Sequence, residues 1–200
     1  MINDTMFTTS ITVTNVVERE ISPLNIDVEL NLIFGIADPY HQAIGLERVR
    51  FFLNNILHKA IICGRDNEII SDLYGITDTR IVECWDDPWD QFIALMIFYK
   101  VTAILEGAAT VEYIKVSAKT LAEDLGFTYY AKDFSDEMLA ADWSKTDKGS
   151  VWYRRPDTTI NENTDLEMTW RMLGMDWIED ANDPESTSPN VKKFTPKIIK

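Results

Sequence analysis

The residues best suited to chemistry in this sequence are carboxylates. Glu83, Asp86, Asp87 and Asp90 form the densest acidic cluster of the 200-residue chain. Oxygen-rich clusters of this kind can hold Mg²⁺ or Ca²⁺. Their spacing, however, matches no EF-hand loop, and acids at the start of a helix are favoured by its dipole. Helix-end electrostatics is therefore the expected role. The only histidines are His41 and His58. A general base needs a partner and a pocket, and the sequence around them indicates neither. His58 falls in the last turn of an expected helix, where partial positive charge is welcome. Cys63 and Cys84 lie 21 positions apart with no flanking ligands, unlike any zinc or redox motif. None of the eight glycines belongs to a phosphate-cradling run. No catalytic residue, resident metal or cofactor is expected.

One constellation could still be built from two places. Asp38-Pro39-Tyr40-His41-Gln42-Ala43-Ile44-Gly45-Leu46 aligns with Asp87-Pro88-Trp89-Asp90-Gln91-Phe92-Ile93-Ala94-Leu95, with five of nine positions identical. Asp-Pro is a favourable way to begin a helix, since Asp caps the N-terminus and Pro suits the first turn. The matched Gln, Ile and Leu go beyond capping. If both blocks met, Asp38, His41, Asp87 and Asp90 would form a carboxylate site able to serve a small enzyme or bind a metal. Topology decides this. In a parallel sheet both helix starts lie along one edge, where ligand sites form; around antiparallel central strands they lie at opposite ends.

The most informative surface candidate is a stripe of apolar residues near the C-terminus. Thr164-Asp165-Leu166-Glu167 reads as a capping box, and Leu166, Trp170, Leu173 and Trp177 follow at one-face helical spacing. Amphipathic helices present such anchors to partner grooves, and Trp is a frequent hot-spot residue. These four residues are the expected protein-binding site. The competing expectation is that the stripe docks on the chain's own domain.

The positioning elements follow from periodicity. Ser10–Glu20 and Ile26–Ile36 alternate as strands, with Ser22-Pro23 between them as a turn. Ile44, Leu46, Val49, Phe52, Leu53, Ile56 and Leu57 predict a helix to about Lys59. Ala60–Cys63 and Arg80–Cys84 are short strands around a polar connection with one helical turn at Ile69–Leu73. A second helix runs from Asp87-Pro88 to Glu106 and stops at Gly107. Thr110–Val116 is the next strand. Short helices are expected at Thr120–Gly126 and Met138–Trp143.

Strand, helix, strand, twice over, predicts an α+β ferredoxin-like split βαβ sandwich. Ile26–Ile36 and Arg80–Cys84 would be its central strands, with an extra N-terminal strand and short C-terminal helices. An open α/β sheet is the alternative. One domain is expected over residues 1–180, with a core at about 8–117, an extension at 118–180 and a flexible tail at 181–200.

Composition bounds the function. A hydrophobic fraction of 46% is ample for a core. No apolar run approaches the ~20 residues of a membrane span, and Met1-Ile2-Asn3-Asp4 lacks signal-peptide character. Two cysteines are too few for a disulfide scaffold, which points to a reducing, cytoplasmic compartment. Net charge is −14. Residues 181–200 carry Asp183 and Glu185 against Lys192, Lys193, Lys197 and Lys200, so the first 180 carry −16. Such a field repels phosphate backbones, so neither nucleic acid nor membrane is an expected partner. The expected function is a non-catalytic acidic protein-binding factor with an assembly, adaptor or inhibitory role. Self-association and a phage or mobile-element origin are compatible with it. A small carboxylate enzyme and a DNA mimic are the alternatives.

Overall fold

A computed structural model describes residues 3–35, 39–76, 80–84, 87–88, 90–119, 124–130, 152–161 and 168–177. The chain is mixed α+β, built on a six-stranded sheet of order β4-β3-β1-β2-β5-β6. β1 (Asn3–Val17) and β2 (Glu20–Phe34) form a hairpin of two 15-residue strands at its centre. The turn is Glu18-Arg19 and not Ser22-Pro23; Glu18 adopts a positive φ of 54°, and Asn67 Nδ2 donates to its carbonyl at 2.8 Å. Pro23 is tolerated inside β2 because it pairs only with Thr14, while pairing with β5 begins at Asn25. A residue without an N–H fits where one side of the strand has no ladder to complete.

After β2 come α1 (Pro39–Phe51), a π-helical turn (Phe52–Leu57) and β3 (Ile61–Gly64). α2 (Ile70–Ile76) leads to β4 (Ile81–Cys84). α3 (Asp90–Leu105) then crosses the sheet to β5 (Ala109–Lys119), and β6 (Asp124–Tyr130) ends it. β3 is parallel to β1 and β4 parallel to β3, whereas β2, β5 and β6 run antiparallel to their neighbours.

This order is not the ferredoxin-like one. The long hairpin occupies the centre, so β3 and β5 add to its two outer sides, β3 beside β1 and β5 beside β2. Both Asp-Pro blocks do start helices, each between two strands. Yet β2 and β3 run in opposite directions on either side of β1, while β4 and β5 run the same way at a distance. The halves are therefore not equivalent. Asp124–Tyr130 is strand and not helix: the β-forming run Phe127-Thr128-Tyr129-Tyr130 completes the outer side of β5. The helix expected at Met138–Trp143 and the tail at 181–200 lie outside the described residues.

One face of the sheet carries α1, the π turn and α3. Phe7, Ile11, Val13, Ile26, Val28, Leu30 and Leu32 meet Phe52, Leu53, Ile97, Val101 and Leu105 there. Gly45 lets α1 sit close, since a Cβ would stand 3.0 Å from the Phe34 ring and 3.2 Å from Leu105. α2 covers the opposite face at one end, where Leu73 packs with Val16, Cys63 and Ile81. The main core also takes in Trp152, Tyr153, Ile160 and Trp170. It therefore extends well past residue 117, because these later side chains cover apolar surface of the helix layer. No helix among the described residues is long and apolar enough to cross a membrane.

Candidate functional site

Register settles the two-block constellation. α1 follows Phe34, which pairs with Asn3 at one end of the sheet. α3 follows Cys84, which pairs with Gly64 at the other end. His41 and Asp87 therefore sit at opposite ends. Asp38 lies outside the described residues and Asp90 opens α3. The described pair, His41 and Asp87, is not brought together. Among the described residues no group of three or more His, Cys, Asp or Glu side chains could hold a metal ion. His58 has a different task from the one its position suggested. Its Nδ1 accepts the backbone N–H of Thr12 at 3.1 Å, a donor that β3 begins too late to pair.

The site that does form lies on the helix layer, where two buried cations tie the later segments to α1 and α3. Arg48, on the α3-facing side of α1, is 2% exposed. Its Nε donates to the Met175 carbonyl at 2.7 Å. Nη1 donates to the Ile104 carbonyl at 3.2 Å and to Glu106 Oε2 at 2.5 Å. The Ile104 carbonyl belongs to the last turn of α3, where acceptors lack partners and positive charge is favoured. Burial lowers the Arg48 pKa, and Glu106 partly restores it.

Lys100 lies midway along α3 and is fully buried. Its Nζ donates to the carbonyls of Trp152 at 3.1 Å and Arg155 at 3.0 Å, and stands 3.5 Å from Asp157 Oδ1. All three ammonium donors thus point at one short segment. Burial pushes the Lys100 pKa down to about 8, with Asp157 opposing the shift and Arg155 adding to it. The same segment closes the edge of β4: Trp152 Nε1 donates to the Glu83 carbonyl at 2.9 Å, and Glu83 N–H donates to the Ile160 carbonyl at 3.2 Å.

Residues 168–177 lie over these groups without forming the expected helix. Residues 170–174 make a turn that ends at Gly174, whose φ is +72°. Leu166 falls outside the described residues. Trp170 is 6% exposed, edge-on to Phe51 at 6.2 Å, with Nε1 donating to the Pro156 carbonyl at 2.5 Å. Leu173 is half-buried against the core. Trp177 is partly exposed; it stacks on His41 at 6.0 Å, and its Nε1 donates to Glu106 Oε2 at 2.6 Å. The Arg48 guanidinium lies 4.1 Å from the Trp177 ring centroid and 5.2 Å from that of Trp170, within cation–π range. These groups, with Asp157, Thr169 and Asp176, line a pocket of about 420 Å³. Met168 and Met172 stand outside it, 37% and 72% exposed.

The stripe is thus divided. Trp170 and Leu173 point inward, and Trp177 lies at the surface. The sequence reading missed Arg48 and Lys100. Lys100 had a signal: it is the only charge in the apolar run from Phe92 to Leu105, and a buried lysine requires acceptors.

A second, largely acidic recess of about 510 Å³ lies at the carboxyl ends of β1, β3 and β4, lined by Glu18, Arg19, Glu20, Asp66, Asn67, Glu68 and Asp87, with Arg19 paired to Glu68. Cys63 sits nearby. Burial first, then Asp87 and Glu83, push its thiol up to about 11, so it is held protonated and is not an activated nucleophile. Tyr74 donates to Glu83 Oε1 beside it, and its own pKa is raised mainly by burial.

No protein-family model and no curated protein matches the sequence. Solved structures with partial likeness include an uncharacterized protein from Wolinella succinogenes, with a TM-score of 0.47 at 12% identity. The likeness covers 66% of this chain and 99% of that one. Another is Plasmodium vivax 6-pyruvoyltetrahydropterin synthase in two catalytic-residue mutant forms, with a TM-score of 0.41 at 14% identity, covering 65% of this chain and 99% of that one. Neither likeness is close enough to transfer a residue role to this chain.

Proposed function

We propose that this chain is a non-catalytic, acidic protein-binding factor that meets its partner through the 168–177 segment. One observation carries the proposal: Met168 and Met172 are exposed on either side of an indole that is locked into the core. Methionine side chains adapt to varied apolar surfaces, and a fixed backbone beneath them lowers the ordering cost of binding. Trp177 extends the same segment toward α1. Leu166 belongs to this proposed surface by sequence position, while Trp170 and Leu173 support it from behind. The −16 of the first 180 residues favours rapid encounter with a basic partner surface. An assembly, adaptor or inhibitory role fits these features. A reducing intracellular compartment is part of the reading, supported by two buried free thiols.

The test begins with affinity capture of partners by the native chain. Each candidate's affinity is then measured for the wild type and for Met172→Asp. A residue 72% exposed should accept the charge without loss of fold. The proposal expects the melting temperature to stay constant while affinity falls at least tenfold. Unchanged affinity would show that this segment is not the contact.

A further inference from the structure

We infer that the pocket between the 168–177 segment and the helix layer binds a small zwitterion of the α-amino-acid class, with Arg48 at its carboxylate and Asp157 and Asp176 at its ammonium group. The pocket's volume of about 420 Å³ falls within the ~300–1,000 Å³ of small-molecule sites. Its walls are fixed in advance. Trp170 is buried beside Phe51 and donates to the Pro156 carbonyl. Thr158 Oγ1 donates to the Met168 carbonyl at 2.7 Å, and Arg48 holds the Met175 carbonyl. A pocket already held in shape loses little binding free energy to ordering.

Two groups on these walls have unused hydrogen-bonding capacity. Arg48 is 2% exposed. Its Nε and Nη1 carry the bonds to Met175, Ile104 and Glu106, and Nη2 meets no acceptor among the described residues. A buried cationic donor left without an acceptor is costly, and a carboxylate is its strongest partner. Asp157 is the opposite case. Lys100 Nζ at 3.5 Å, the Thr159 N–H at 3.0 Å and the Thr159 hydroxyl at 2.5 Å all converge on Oδ1. Oδ2 takes no donor among the described residues, and the side chain lines the pocket. Asp176 adds an exposed carboxylate at the rim.

Charge decides the class of ligand. Arg48 and Lys100 stand against Glu106, Asp157 and Asp176, an excess of one negative charge around the pocket. That excess disfavours a simple anion, and a simple cation would leave Arg48 Nη2 unpaired. A molecule carrying both charges a few atoms apart satisfies donor and acceptor together. The indoles of Trp170 and Trp177 offer apolar wall for its side chain. Binding of this kind needs no protein partner, and Met172 lies outside the pocket, so Met172→Asp reads a separate property.

Titration of the full chain with single L-amino acids, followed in two-dimensional ¹H–¹⁵N spectra, tests the site. The indole N–H signals of Trp170 and Trp177 should shift saturably with at least one amino acid below ~10 mM. That of Trp152, bonded to the Glu83 carbonyl and not part of the pocket wall, should stay in place. N-acetylation of the bound amino acid, and separately its conversion to the carboxamide, should each weaken binding at least about tenfold, the scale of a lost charged hydrogen bond. The inference is overturned if no amino acid moves the two signals, if the shifts fall on other tryptophans alone, or if either blocked derivative binds as well as its parent.

Discussion

Lys100→Met removes the most constrained charge in the molecule, and the structure sets both the size and the pH dependence of its effect. The variant keeps the length and apolar bulk of the stem. It strips donors from the carbonyls of Trp152 and Arg155 and leaves Asp157 without its cation. Breaking a buried pair by removing one member costs about 3–5 kcal/mol, because the other groups remain desolvated. That range is the expected loss at pH 7. The pH dependence carries the sharper test. In the fold the Lys100 pKa falls from 10.5 to about 8, chiefly through burial. Between these values the unfolded chain binds more protons than the folded one, so this group's contribution to stability rises with pH across the window. Conversely, its contribution is fully present above 10.5 and is lost as pH falls through about 8. Met cannot titrate, so the stability gap between wild type and variant should widen by about 2–3 kcal/mol from pH 7 to pH 10. Urea unfolding of both proteins at the two pH values, read by far-UV circular dichroism, measures the gap. A constant gap would mean that burial does not depress this amine. A narrowing gap would mean that Asp157 outweighs burial and that the pKa is raised instead.

Gly45→Ala should destabilise the fold by about 1–3 kcal/mol in denaturant melts despite better helix propensity, because the added methyl meets Phe34 at 3.0 Å; a stabilised variant would mean that α1 has room to move. Trp170→Ala should cost about 3–5 kcal/mol by the same assay, the scale of a buried aromatic, and a loss under 1 kcal/mol would place that indole outside the core. Non-reducing mass analysis should find two free thiols. Cys63 faces the α2 side and Cys84 the main core, 3.7 Å from the Met96 sulfur, and an intramolecular bridge would contradict the two faces.

The elements were more legible than their arrangement. Alternation located both long strands, and Asp-Pro located both helix starts, because period and capping are local physics. The hairpin turn was misread because Ser22-Pro23 is a strong turn signal that here lies inside a strand with one open side. Strand order was not legible: whether β3 and β5 join the hairpin on one side or on both depends on how the helices pack across it. The same gap hid the reason that the thiols stay apart. Cys63 and Cys84 lie on the parallel neighbours β3 and β4, and the sheet itself separates them. In the candidate site, Trp170 and Trp177 stood out in the sequence as a pair, and the turn at 170–174 divides them between core and surface. Arg48 was invisible because nothing local marks a surface-type residue that will later be covered by chain 127 positions away.

The central claim is that the 168–177 segment is the contact surface, and a photo-crosslinking amino acid tests it most directly. It is placed at Met172 in one version of the full chain and at Thr8, on the open polar face of the sheet, in another. Both are expressed in cells that contain the natural partners and irradiated. The account predicts a discrete protein adduct from position 172 that position 8 does not give, and that unlabelled wild-type chain competes away. Adducts from position 8 alone, or none from position 172 once a partner has been captured, would contradict it.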